Sequence, residues 1–333
     1  MRSEGIEATP TAPPAVSILM PTFNRLQFVP PAIESVFAQS LSDWELIIAD
    51  DGSDSDTKAY LQSLRHPRVR VLWMAHTGRP PVMLNAALRV ARGEFIAFLD
   101  SDDVWLPRKL ELQVASLRRQ PNRRWSCTAF ALIDSAGRPL AAARAGWPAV
   151  SGQVRDRLLT DAVIAMPSVI AARSLFEQVG AFDEELVMNY DGDLWLRFAH
   201  LSELDGIDEP LTLVRRHGQH GGSDIIAWRD LRRIIEKAQR GAGDADFRAM
   251  LREQRAVASA GLARSHALFG RRIDVVHTLA ESAPYSWSYL QWWRVGAYAS
   301  ARALTPQPLL DALRALRIRM RSRRLTAHAK PQN

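Results

Sequence analysis

The sequence predicts an α/β fold, a mostly parallel sheet flanked by helices, followed by an all-α extension. Three observations predict it. Short apolar runs alternate with helix-patterned segments from Val16 to Val214. The runs ending near Met20, Ala49 and Leu99 stop in polar or acidic loops, so their carboxyl ends fall on one side, where open α/β sheets bind ligands. From Ile225 onward the pattern is helical only, and the charge changes sign. Residues 225–333 hold 20 Lys and Arg against 8 Asp and Glu, whereas 1–224 hold 23 against 28, within a chain net of +7. That shift marks a boundary near Gly222.

Each element has a local reason. VSILM, Val16 to Met20, is a buried-strand run stopped by Pro21, and PTFNR leads into a helix with Phe28, Ile33, Val36 and Phe37 on one side. WELIIA, Trp44 to Ala49, is a second strand, closed by DDGSD, whose Ser and Asp can cap a helix near Thr57 to Leu64. Val69 to Trp73 is a third strand. Pro80 and Pro81 suit a helix start, and Met83, Leu84, Ala87, Leu88 and Ala91 give its buried face. Further on come a helix from Glu111 to Arg119, a strand from Trp125 to Ile133, a turn at Asp134 to Gly137, and a strand at Pro167 to Ala171. Helix Arg173 to Val179 stops at Gly180, Asp191 and Asp193 precede a mixed apolar helix of Leu194, Trp195, Leu196 and Phe198, and a short strand spans Leu211 to Val214. Beyond it, Ile234, Ile235 and Ala238, then Ala256 to Leu268, then Trp287, Leu290, Trp293 and Val295 mark helical segments. Leu309, Leu313, Leu316 and Met320 place a last helix over 309–325, with Arg filling its other positions. The expected organisation is a disordered lead-in 1–15, an α/β domain 16–223 divided at 115, and a basic helical region 224–333.

The richest stretch is GEFIAFLDSDDVWLPRK, Gly93 to Lys109. Phe95 to Leu99 reads as a strand buried on both faces, and it ends in Asp100, Ser101, Asp102 and Asp103. Carboxylates at a strand tip repel one another and gain nothing from a core. A hard divalent cation removes that cost, taking one or two carboxylates together with substrate phosphates. DSDD by itself also reads as an acidic turn capping the next helix. Asp191 lies at a helix N-terminus, where negative charge is favoured.

Composition excludes several classes. With Cys127 as the only cysteine, no intrachain disulfide forms, which fits a reducing compartment. No run approaches the about 20 apolar residues of a membrane span, and the N-terminus has no signal-type apolar core. No nucleic-acid motif is present, although a basic tail with Trp residues leaves open a second reading, a non-catalytic phosphate- or nucleic-acid-binding protein.

Taken together, VSILMPTFNR, ELIIADDGSDSD, LNAALRVARGEFIAFLDSDD, VGAFDEEL and YDGDLWLRFA, in this order and spacing, resemble the inverting glycosyltransferases of family 2 with the GT-A fold, over about residues 16–223. The resemblance implies a Rossmann-like nucleotide half (16–115) and an acceptor half (116–223). Thr22, Phe23 and Asn24 match the loop bordering base and ribose. Asp51 matches an acid that accepts a hydrogen bond from a uracil-like base, and Arg79 a basic position facing the diphosphate. Asp100, Ser101 and Asp102 match the DxD motif, with Asp102 as the direct metal ligand and Asp100 on ribose or metal-bound water. Asp191 matches the catalytic base, and the Glu that usually precedes it is Tyr190 here. His217 matches a position near metal and diphosphate, although a lone His in a basic loop is also structural. Trp105 and Lys109 match the acceptor side, with core packing the other reading of Trp105.

The activity so implied moves a sugar from a nucleotide-diphosphate donor, UDP-linked by preference, to a hydroxyl of a carbohydrate or lipid-linked acceptor, with Mn²⁺ or Mg²⁺ as cofactor, in bacterial cell-surface polysaccharide synthesis. Nucleic acid is not an expected partner. A peripheral contact of the Arg-rich helices with an anionic membrane and a homo-oligomer are both left open, and the expected location is the cytoplasm or the cytoplasmic face of the inner membrane.

Overall fold

The computed structural model describes residues 12–140, 147–161, 163–216 and 224–305. The chain forms two compact units, 1–222 and 223–333. Strands β1 (Val16–Thr22), β2 (Trp44–Asp50), β3 (Val69–Trp73), β4 (Phe95–Phe98), β5 (Val104–Trp105), β6 (Trp125–Ile133), β7 (Val169–Ala172) and β8 (Leu204–Arg215) form one sheet in the first unit. Their spatial order is β3-β2-β1-β4-β7-β6-β8-β5. β3, β2, β1 and β4 run parallel, with Leu19 opposite both Ile47 and Phe98. The second half is mixed: β7 is antiparallel to β4 and β6, β8 is parallel to β6, and β5 is antiparallel to β8.

Helices α1 (Val29–Phe37), α2 (Ser55–Ser63), α3 (Pro80–Val90), α4 (Lys109–Arg119), α5 (Arg173–Val179) and α6 (Tyr190–Ala199) flank the sheet. The central strands read as continuous apolar runs because both faces are covered. Leu19, Ile47, Ile96 and Phe98 pack with Met83, Leu84 and Trp195 on one face. Ile18, Met20, Ile48, Ala97 and Leu99 pack with Ile33, Val36, Leu110 and Val114 on the other. Asp54 caps α2, accepting from the Thr57 amide at 2.8 Å.

Four sequence expectations shift. Pro14 and Ala15, assigned to the lead-in, are already tied, their carbonyls accepting from the Glu94 and Phe95 amides. Phe37 does not join the core; it is exposed and stacks on His66 at 4.9 Å. The strand expected at 211–214 starts at Leu204, because Leu204 to Ile207 also pairs with β6, Asp208 and Glu209 falling in an irregularity around Ala129. The two-residue β5 carries no sequence signal of its own.

In the second unit, α7 (Asp224–Gly241), α9 (Arg272–Ser286) and α10 (Leu290–Leu304) pack on α8 (Ala245–Leu268). α8 buries small residues, Ala256, Ala258, Ser259, Ala260, Gly261 and Ala263. A Cβ on Gly261 would lie 2.5 Å from the Trp228 ring, so the α7–α8 approach requires glycine there. No helix among the described residues is long and apolar enough to cross a membrane. The helix expected over 309–325 lies outside the described residues.

Candidate active site

The loops after β1, β2 and β4 leave the sheet at the same edge, as parallel neighbours must. Asn24 turns the first of them, at φ +50°, an asparagine-tolerated left-handed conformation. Its amide donates to Ser53 Oγ at 3.0 Å, and its Oδ1 accepts from the Asp54 amide at 2.7 Å, joining the first loop to the second. Thr22 is buried, and its hydroxyl has no hydrogen-bond partner. The Phe23 ring faces outward, stacked on His76 at 4.1 Å.

Asp51 is buried and anchors the loop after β3. It accepts from the Thr77 amide at 2.7 Å, the Thr77 hydroxyl at 3.1 Å and the Gly78 amide at 2.8 Å, with His76 Nδ1 at 3.1 Å. An ionised carboxylate has about four acceptor positions, so this one is used within the protein. Gly52 permits the approach: its φ is +75°, and a Cβ there would meet the His76 amide nitrogen at 2.9 Å. Gly52→Ala is expected to cost about 1 to 3 kcal/mol of stability and to loosen 76–78; urea unfolding measures the first and hydrogen exchange the second. Arg79 caps the start of α3 and donates to the Glu184 carbonyl at 3.2 Å. Asn85 holds that same loop through Phe182 and the Glu184 carboxylate.

The acids converge. The Asp103 amide closes a tight turn on the Asp100 carbonyl, with Ser101 buried in it. Burial, then Asp102 and Asp191, push the Asp100 carboxyl up to about 8, against the opposing pull of Arg25. Burial also raises Asp191, although the Gly192 amide donates to its Oδ1 at 2.9 Å. The Tyr190 phenol is raised well above its usual range, by burial first and then by Asp100, Asp191 and Asp102. Asp102 and Asp191 thus lie within electrostatic reach of Asp100, and all three within reach of Tyr190. Asn189, at φ +55°, turns the chain into α6 and so delivers Tyr190 and Asp191 to it. Asp193 does different work: it holds Arg197 in two hydrogen bonds, and Arg197 ties down the carbonyls of Val179, Gly180 and Ala181.

Two arginines that sequence reasoning did not single out for this site organise the acid turn. Arg25 Nη1 lies 3.8 Å from Asp102 Oδ2. Arg215 donates from Nε to the Asp102 carbonyl and from its amide to Asp103 Oδ1, each at 2.7 Å, and from Nη1 to the carbonyls of Asp134 and Ser135. The available signal for Arg25 was positional: β1 is the strand between β2 and β4, so a cation just past its end reaches both acidic loops.

Trp105 and Lys109 correct an expectation. Neither lines the acceptor side; both are buried in the core. Trp105 Nε1 donates to the Pro167 carbonyl at 2.8 Å. Lys109 Nζ donates to Gln113 Oε1 at 2.8 Å and sits 4.2 Å from the Trp105 ring centroid. Burial pulls the Lys109 ammonium down to about 7. His217 lies outside the described residues.

Among the described residues, no group of three or more His, Cys, Asp and Glu is placed to hold a metal unaided. Asp100 and Asp102 nevertheless fit a hard cation, which commonly takes one or two carboxylates and completes its shell with substrate phosphate and water. The cost of burying Asp100 and then of setting it beside Asp102, expressed in its raised carboxyl, is what a cation would offset.

Residues 17–146 match the Glycosyl transferase family 2 profile. An uncharacterized glycosyltransferase of Rickettsia bellii is 31% identical over 206 residues, covering 62% of this chain and 29% of that protein. An Escherichia coli protein named UDP-Glc:alpha-D-GlcNAc-diphosphoundecaprenol beta-1,3-glucosyltransferase is 37% identical over 102 residues, 31% of this chain and 40% of that one. The chain thus spans about a third of the length of these curated relatives. Among solved structures, S. aureus TarS 1-349 in complex with UDP-GlcNAc superposes with a TM-score of 0.60 at 17% identity, over 86% of this chain and 88% of that one, a likeness of fold. With the sheet order and the acid turn after β4, these matches show a glycosyltransferase family 2 domain over residues 17–146, on a GT-A-type fold.

Proposed function

We propose that the chain is an inverting, cation-dependent glycosyltransferase that moves a sugar from a nucleotide-diphosphate donor to a hydroxyl acceptor. One observation carries this reading: the acid turn after β4 lies at the edge where β1, β2 and β4 end, and Asp102 and Asp191 both bear electrostatically on its buried Asp100. The base and ribose lie against Thr22, Phe23 and Asn24, with Phe23 and His76 offering a stacked aromatic surface and Asp51 fixing the loop behind it. A uracil N–H reaching Asp51 would have to displace one of its present donors. Arg79 lies beside the phosphates.

Asp102 and Asp100 would hold Mn²⁺ or Mg²⁺. When bound, the cation supplies Lewis-acid neutralisation of the diphosphate oxygens. The chain's own contribution is proton transfer: the acceptor oxygen bonds to the anomeric carbon, the carbon–phosphate oxygen bond breaks with its electrons leaving on the diphosphate, and the acceptor proton passes to Asp191. Attack from the face opposite the leaving group inverts the anomeric centre. The donor named for the Escherichia coli relative favours a UDP sugar, and its diphosphoundecaprenol acceptor favours a lipid-linked carbohydrate.

The test is calorimetry with a panel of nucleotide-diphosphate sugars, with and without Mn²⁺, followed by NMR of the product anomer. Cation-dependent binding of one UDP sugar and an inverted product are expected. Binding of none of the panel in the presence of Mn²⁺ would overturn the proposal.

A further inference from the structure

The last two helices of the second unit bury mostly small and polar residues, with Val275 and Trp292 among them, and turn several large apolar ones outward. α9 buries Val275, Thr278, Ser282 and Ser286. α10 buries Trp292, Gly296, Ala299 and Ala303. The outward residues are Ile273 (85% exposed) and Val276 (68%) on α9, and Leu290 (72%), Trp293 (55%) and Leu304 (79%) on α10. Positions 273 and 276 share one helix face, as do 290, 293 and 304. The two faces are neighbours. Arg272 Nη2 reaches the Thr305 carbonyl at 3.5 Å, bringing the Ile273 end beside the Leu304 end. At the other end Trp293 Nε1 donates to the carbonyl of Trp287, itself 67% exposed. Large exposed apolar side chains gathered on neighbouring helix faces point to a binding face, whereas single scattered ones do not.

The charge around it has one sign to spare. Asp274 and Glu281 are already paired with Arg271 and Arg232. Arg264 and Arg294 have no carboxylate partner among the described residues. They line a surface cleft of about 790 Å³ with Leu290, Gln291, Val295 and Tyr298. Leu290 and Arg294 belong to both the cleft and the outward face of α10. A second copy docking here would bring these arginines together with no unpaired acid among the described residues of the patch to receive them. An anionic bilayer supplies phosphate to the arginines, acyl chains to Ile273, Leu290 and Leu304, and an interfacial layer to the tryptophans.

We propose that the α9–α10 face is a membrane-docking surface that seats on anionic phospholipid, with the Arg264–Arg294 cleft taking a headgroup phosphate. It concerns the second unit alone and stands whether or not the chain transfers sugar.

The experiment is cosedimentation of the full chain with vesicles of equal parts phosphatidylglycerol and phosphatidylcholine, and with pure phosphatidylcholine. The wild type is expected to bind the anionic vesicles preferentially. The triple variant Ile273→Ser, Leu290→Ser, Leu304→Ser is expected to partition at least tenfold less. The pair Arg264→Gln, Arg294→Gln is expected to lose about tenfold of the preference for the anionic vesicles. Circular dichroism checks the helices of each variant. Wild type left in the supernatant overturns the proposal, as does a triple variant that binds like wild type. If deleting 306–333 abolishes binding while the triple variant retains it, the membrane contact lies in the tail and this face is excluded. If light scattering shows a dimer that the triple variant dissolves while vesicle binding stays unchanged, the face belongs to a second copy.

Discussion

Asp191→Asn is expected to lower the transfer rate by about 10² to 10⁴-fold, the usual contribution of a positioned general base, while donor affinity stays within about twofold. Asparagine keeps the shape and the acceptor oxygen that receives the Gly192 amide, so the start of α6 is preserved. It lacks the basic lone pair that takes the acceptor's proton. Burial holds the Asp191 carboxyl above its ordinary range, which makes it a stronger base once ionised. Because the ionised form is the active one, the acid limb of kcat/KM against pH should lie above the usual carboxylate range in wild type and vanish in the variant. Calorimetry of the donor alongside steady-state turnover separates the two roles. Near wild-type turnover would remove Asp191 as the base and leave Tyr190 or the acceptor itself to be examined.

Much of this site is readable in the sequence because parallel strands buried on both faces announce themselves. VSILM, WELIIA and FIAFL are continuous apolar runs, and whatever polar residue follows each one must sit at the sheet edge. Convergence of Asp51, Asp100 and the loop at Asn24 on that edge then follows from topology. Arg25 was harder: a single cation in PTFNR has no pattern, and only the placement of β1 between β2 and β4 brings it to Asp102.

Other features were hidden for physical reasons. Asp205 to Pro210 is polar and contains a proline, so β8 does not look like a strand until β6 pairs with it. Lys109 reads as a surface lysine, yet Gln113 and the Trp105 ring accommodate its ammonium inside the core. In α9 and α10 the apolar periodicity that normally marks the core points to solvent, because the close approach of the helices is made by Ser282, Ser286, Gly296 and Ala299. Gly296 shows why: a Cβ there would lie 3.2 Å from Leu279 Cδ2.

Asp102→Ala is expected to abolish cation-dependent donor binding, a loss on the order of 100-fold or more in affinity with Mn²⁺ present, and to change how stability depends on pH. In the cation-free protein, burial and then Asp102 and Asp191 hold the Asp100 carboxyl up at about 8, well above the usual carboxylate range. The folded state therefore keeps a proton that the unfolded chain has released across that interval, and stability falls as pH rises from about 4 to about 8. A divalent cation binds the ionised acids and opposes that fall, so Mn²⁺ should raise the melting temperature little at pH 5 and strongly at pH 8. Asp102 is, after burial, the first-ranked neighbour raising Asp100. Removing it lets the Asp100 carboxyl descend, so the pH slope of the cation-free variant should flatten at the same time as its response to Mn²⁺ disappears. Arg25 loses its ion pair with Asp102 in the variant and still lowers the Asp100 carboxyl, which pushes in the same direction. A thermal-shift grid over pH, with and without Mn²⁺, reads both effects in one measurement. An unchanged Mn²⁺ response with an unchanged slope would show that Asp102 neither holds the cation nor faces Asp100, and the acid turn after β4 would then be no more than a loop.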